Sequence, residues 1–153
     1  MPVSNSYSSI GQNFIPLFHK IPRWVWTAAK KSGLFNLVGF FLSFFWIQFH
    51  KPVARNMDDV FRIFYLEFLK IPRANVEMVE MSPRRFITRC DNPCPILDFA
   101  RLINVDTRDV CKVISETISN WFLYFLNPRL KFVRNYQKIR PYCAKCEEMV
   151  LLQ

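Results

Sequence analysis

Glycine is scarce in this chain, with 3 in 153 residues against 16 phenylalanines. So much aromatic surface must be packed or placed in lipid, which excludes disorder beyond the first dozen residues. Cysteine is missing from the first half altogether. Histidine occurs twice, as His19 and His50, both in the N-terminal half. A Cys–His dyad would therefore need one of them folded back over the later cysteines. The opening MPVSNSYSSIGQN is polar and lacks the apolar stretch of a secretory signal, so residues 1–13 are expected to be a flexible terminus. With no export signal in view, disulfides are disfavoured, and a cytoplasmic protein, at most peripheral to a membrane, is expected. No RRM, KH or zinc-finger pattern is present. The string LKFVRNYQKIR (130–140) interleaves Phe132 and Tyr136 with cations, as single-strand binders do, but a half-buried strand looks the same. Nucleic acid is not the expected partner.

What the chain has in excess is positive charge. It carries 21 Lys+Arg against 12 Asp+Glu, a net +9, which favours an anionic molecule or an acidic membrane surface. Prolines at 16 and 22 prevent one continuous helix through FIPLFHKIPRWVW. Trp24 and Trp26 then stand beside Arg23, Lys30 and Lys31 as an aromatic-basic belt. LFNLVGFFLSFFWIQF (34–49) is the most apolar run, yet it falls short of the roughly 20 residues of a spanning helix. Three readings stay open for it: a helix buried in the core or against a partner subunit, a helix lying in a membrane interface, or a span. DDVFRIFYLEFLK reads as an amphipathic helix capped by Asn56 or Asp58, with Val60, Phe61, Phe64 and Phe68 on one face.

After Pro72 the periodicity changes from helical to alternating. NVEMVEM and RRFITRC form a hairpin signal around Ser82-Pro83, with Phe86, Thr88 and Cys90 facing inward. Pro95 is suited to a first helical position, which puts Cys94 at a helix N-terminus. A second helix, capped by Asp106 or Thr107, runs to about Leu126 with a stripe through Val110, Ile114, Ile118 or Thr117, Trp121 and Phe125. Two more strands are expected near 130–139 and 142–152. The fold class is therefore α+β: a helical, Phe/Trp-rich segment at 14–73, then a β-β-α-β-β unit at 74–153 with a long helix across an antiparallel sheet.

The five cysteines carry most of the chemistry. Cys90 and Cys94 form a C-x3-C, Cys143 and Cys146 a C-x2-C, and Cys111 lies between. Two close pairs can supply four thiolates to zinc or an iron–sulfur cluster, so Cys90, Cys94, Cys143 and Cys146 are candidate metal ligands. They can equally be core residues or line a reactive pocket. A thiol at a helix N-terminus beside cations is a better nucleophile, and Cys94 with Arg84, Arg85 and Arg89 nearby matches that pattern.

The order Arg89-Cys90…Cys94-Pro95, then Cys111 in a helix, FLNPRLKF (125–132) and a late Cys143 resembles the L-2-amino-thiazoline-4-carboxylic acid hydrolase family over roughly residues 74–150. The resemblance implies hydrolytic opening of a thiazoline ring. It implies Cys94, Cys111 and Cys143 as catalytic thiols, with Arg89 and Asn127 toward a small anionic ligand. The alternative expectation is a non-enzymatic accessory subunit of a membrane-associated complex, meeting a protein subunit or membrane surface through 24–49.

Overall fold

The computed structural model describes residues 22–153; the expected flexible terminus and the Pro16 break lie outside the described residues. Helix α1 (Arg23–Lys31) starts directly after Pro22 and meets α2 (Leu34–His50) at a 63° bend. Gly33 makes that bend, at φ 72°, a left-handed conformation that glycine adopts without the Cβ clash. Helix α3 (Met57–Phe61) is capped as expected, with Asn56 Oδ1 accepting from the Asp59 N–H at 2.9 Å, and widens into π-helical turns over Arg62–Phe68.

Strands β1 (Val76–Met81) and β2 (Arg85–Cys90) form the expected hairpin. Helix α4 (Pro95–Leu102) begins at Pro95 with Cys94 as its N-cap. A long helical passage follows: α5 (Thr107–Val110), a π-helical stretch Cys111–Ser115, and α6 (Glu116–Leu126). Asp106 caps it, accepting from the Arg108 N–H at 2.8 Å. Strands β3 (Leu130–Arg134) and β4 (Cys146–Leu152) complete an antiparallel sheet of order β1-β2-β4-β3. The architecture is α+β, with the helical segment preceding the strands.

Two expectations need correcting. The last hairpin is shorter than the alternation suggested, because residues 135–145 form turns. Cys143 therefore lies in a turn before β4 and not within a strand. The long helix is also buried differently. Its fully buried positions are Ser119, Phe122 and Leu123, the last two in the main core, a stripe different from the one expected. Trp121 and Phe125 face α2, where they meet Phe40 edge-on at ring-centroid distances of 5.0 and 5.2 Å. Helix α6 is thus the middle layer between α2 and the sheet.

The main core gathers Val60, Phe61, Phe64 and Tyr65 of the α3 passage with Phe86, Phe122, Phe132 and Val150. Phe68 stacks on Phe122 at 3.9 Å. Each such aromatic pair adds about 0.5–1.5 kcal/mol to the burial of its area. Phe132, a residue weighed as a base-stacking platform, is fully buried here. Tyr136 is half-buried and donates to Glu116 Oε2.

Candidate functional site

Inward-facing positions of β2, β3 and β4 alternate with outward ones, so Thr88, Cys90, Arg134, Cys146 and Glu148 share the sheet face that the helices cover. Three of these are polar or charged, and burial obliges them to find partners. Arg134 and Glu148 meet at 2.7 Å with side chains only 6% and 7% exposed. Arg134 also donates to Ser115 Oγ at 3.0 Å. Tyr65 donates to Glu148 Oε2 at 2.8 Å, and its oxygen lies 2.8 Å from Thr88 Oγ1. Tyr65 gives its single proton to the carboxylate, so Thr88 is the donor to Tyr65. Burial, and then the Glu148 charge, push the Tyr65 hydroxyl well above its ordinary range. Burial opposes the Arg134 charge, but Glu148, together with smaller contributions from Cys111, Cys146 and Tyr136, outweighs it and holds the guanidinium firmly charged.

Beside this network is a small cavity of about 160 Å³. Cys90, Cys94 and Cys146 supply thiols to its wall, Arg134, Arg140 and Glu148 supply charge, and Leu69, Ile71 and Ile96 supply apolar surface. The Nε atoms of Arg134 and Arg140 are buried and lack a hydrogen-bond partner. Arg140 has no ion pair among the described residues; its Nη1 donates to the Asp91 carbonyl at 3.2 Å. Two cations against one carboxylate leave the cavity with one positive charge to spare.

The structure brings some of the expected site residues together and separates others. Cys90 and Cys146 sit opposite each other across β2 and β4. Cys94 joins them at the cavity, in the N-terminal position on α4 that Pro95 foretold. Cys111 packs in a cluster with Cys146, Ile139 and Ile96, and burial pushes its thiol up to about 11. Burial, reinforced by the Glu148 charge, drives the Cys90 thiol higher still. The Cys90 and Cys111 thiols are protonated at neutral pH, as buried structural cysteines are.

The expected catalytic trio Cys94, Cys111 and Cys143 is not assembled. Cys143 is exposed, its Sγ 3.6 Å from the Gln137 carbonyl, in a separate hollow with Glu77, Arg89 and Lys145. The same displacement breaks the four-thiolate arrangement of Cys90, Cys94, Cys143 and Cys146. Among the described residues, no group of three or more His, Cys, Asp or Glu side chains is placed to hold a metal ion. Arg89, expected at a ligand, instead pairs with Glu147 at 2.9 Å. Asn127 ends α6 and accepts from the Arg129 N–H at 3.0 Å, beside another hollow lined by Ala54, Asn56 and Leu152. His50 stacks on Trp46 and bonds its carbonyl, so it does not reach the thiols.

Arg134, Arg140 and Glu148 are the residues that sequence reasoning missed. Glu148 had a signal, because it is in phase with the inward Cys146 and Val150. Arg134 is likewise in phase with Leu130 and Phe132. A charge at a core position of a strand implies a buried partner. Arg140 lies in a turn and carried no periodic signal. No family model, curated protein or solved structure matches the chain.

Proposed function

We propose that the chain binds a small monoanion, a carboxylate attached to a compact and partly apolar body, in the cavity between Cys94, Arg134 and Arg140. The observation that carries this reading is a pair of arginines lining one small, partly open cavity, each with a buried Nε that lacks a hydrogen-bond partner. An unsatisfied buried donor costs about 1–3 kcal/mol, more when charged, and an anion would relieve it. The volume of about 160 Å³ equals about five water molecules at liquid density, which limits the ligand to a small acid. Arg134 already has Glu148, so Arg140 is the residue left to take the ligand's charge.

The resemblance to thiazoline-carboxylate hydrolases supplies the first probe. Calorimetric titration with 2-amino-thiazoline-4-carboxylate and with pyruvate should show saturable binding that weakens at least tenfold in Arg140→Met. Turnover of the thiazoline that is lost in Cys94→Ala, while binding persists, would make the site catalytic with Cys94 as nucleophile. Neither acid binding at millimolar concentration, with the variant correctly folded, would sink the proposal.

A further inference from the structure

We infer that α2 docks the protein on an anionic lipid membrane, lying in the interface plane with its apolar face in the headgroup–acyl boundary. This inference stands independently of the ligand cavity. Leu34, Leu37, Val38, Phe41, Phe45 and Phe49 are all at least about half exposed, Phe49 to 81%. At 100° per residue they fall within an arc of about 120° on one side of the helix. The opposite side is committed to the protein: Gly39 lies against Ile118 and Trp121, Ser43 donates to the Ile118 carbonyl, and Phe40 and Phe44 pack on Phe125. A helix held along one whole side by α6 is not free to cross a bilayer. No single helix among the described residues is long and apolar enough to do so, and α1 and α2 reach that length and composition only together, across their 63° bend.

Charge selects the occupant. No Asp or Glu occurs before Asp58, while Lys20, Arg23, Lys30, Lys31, Lys51 and Arg55 all do. Cations therefore stand at both ends of the apolar stripe, and no carboxylate from its own segment opposes them. Lys31, Lys51 and Arg55 make no ion pair among the described residues. Trp24, 71% exposed on α1, adds an aromatic of the kind that settles at headgroup level. A second copy is a poor fit to the same face. Pairing α2 with α2, in either direction, sets one acid-free basic segment against another. Anionic headgroups give the stripe its apolar solvent and its counter-charge together.

The test is flotation of the full-length protein with vesicles of phosphatidylcholine alone and of phosphatidylcholine with about one-third phosphatidylserine. Binding is expected to the anionic vesicles and to fall in high salt. Phe41→Ser/Phe45→Ser should weaken it at least tenfold. Lys31→Gln/Lys51→Gln/Arg55→Gln should weaken it by about a hundredfold, at roughly fivefold per cation. Failure to float with anionic vesicles overturns the inference, as does equal binding to neutral vesicles with the triple variant unaffected. Sedimentation showing a dimer that the Phe41/Phe45 variant dissociates, with no vesicle binding, assigns the face to a second copy and also overturns it.

Discussion

Arg134 and Glu148 are buried together, and their worth depends on both being present. Two desolvated charges gain little over apolar residues of the same shape, but a single one left behind is expensive. Arg134→Met alone, or Glu148→Leu alone, should therefore lower unfolding free energy by about 3–5 kcal/mol in denaturant titrations. The double variant should lose much less than the sum of the two; strict additivity would show that the pair is not coupled. The thiols make a second prediction. Cys143 is exposed and Cys94 intermediate, while Cys90, Cys111 and Cys146 are buried. Ellman's reagent should label about two thiols rapidly in the native protein and the remaining three only on unfolding. Glu147 supplies the pH dependence. Hydrogen bonds from Asn135, with further help from Arg89 and Lys138, hold its carboxyl at about 2, below its ordinary 4.5. A depressed carboxylate favours the folded state above its unfolded value, and that contribution is lost as pH falls from about 4.5 toward 2. Glu147→Gln should flatten the acid limb of the stability curve in that window. An unchanged limb would mean that other groups set it.

At the scale of elements, α2 and α6 touch through a small residue. A Cβ added at Gly39 would meet Ile118 Cα, Ile118 Cγ1 and Trp121 Cδ1 at 3.4 Å each, which is tight but not impossible. Helix propensity favours alanine over glycine by up to about 1 kcal/mol, so Gly39→Ala should be neutral or mildly stabilising. Gly39→Leu should destabilise by about 1–3 kcal/mol, because neither α6 nor the ring of Trp121 can retreat without disturbing the aromatic layer. Thermal melts of the two variants separate these outcomes. Elements with local signals were legible from sequence: the Asn56 and Asp106 caps, Pro95 opening α4, and the Phe86-Thr88-Cys90 alternation of β2. The stripe of α6 was not, because a helix between two layers is apolar nearly all round and one period cannot identify which side faces the sheet. The cavity was half legible. Close spacing drew attention to Cys90, Cys94 and Cys146, which line one cavity, yet it also drew in Cys143, which a turn carries away. Sequence distance says nothing of which side of a turn a thiol faces, and Arg140 owes its place to the same irregular loop.

At the scale of the whole molecule, half the residues are hydrophobic, at 51%, yet the buried clusters leave α2 with an uncovered face. Small domains always expose some apolar atoms, but scattered exposure differs from a continuous stripe on one helix. The two sides of α2 should therefore answer substitution in opposite ways. Phe41→Ser/Phe45→Ser removes half-exposed rings whose contacts are with each other and with Phe40 and Phe44, so unfolding free energy should fall by no more than about 1 kcal/mol per site. Phe40→Ser/Phe44→Ser removes half-buried rings that pack on Trp121 and Phe125, and should cost about 2 kcal/mol per site, below the 3–5 of a fully buried phenylalanine. Chemical denaturation of the two double variants reads both effects. Equal destabilisation by the two pairs would mean that the exposed face is covered in solution, and that the free chain is not the species that reaches a membrane.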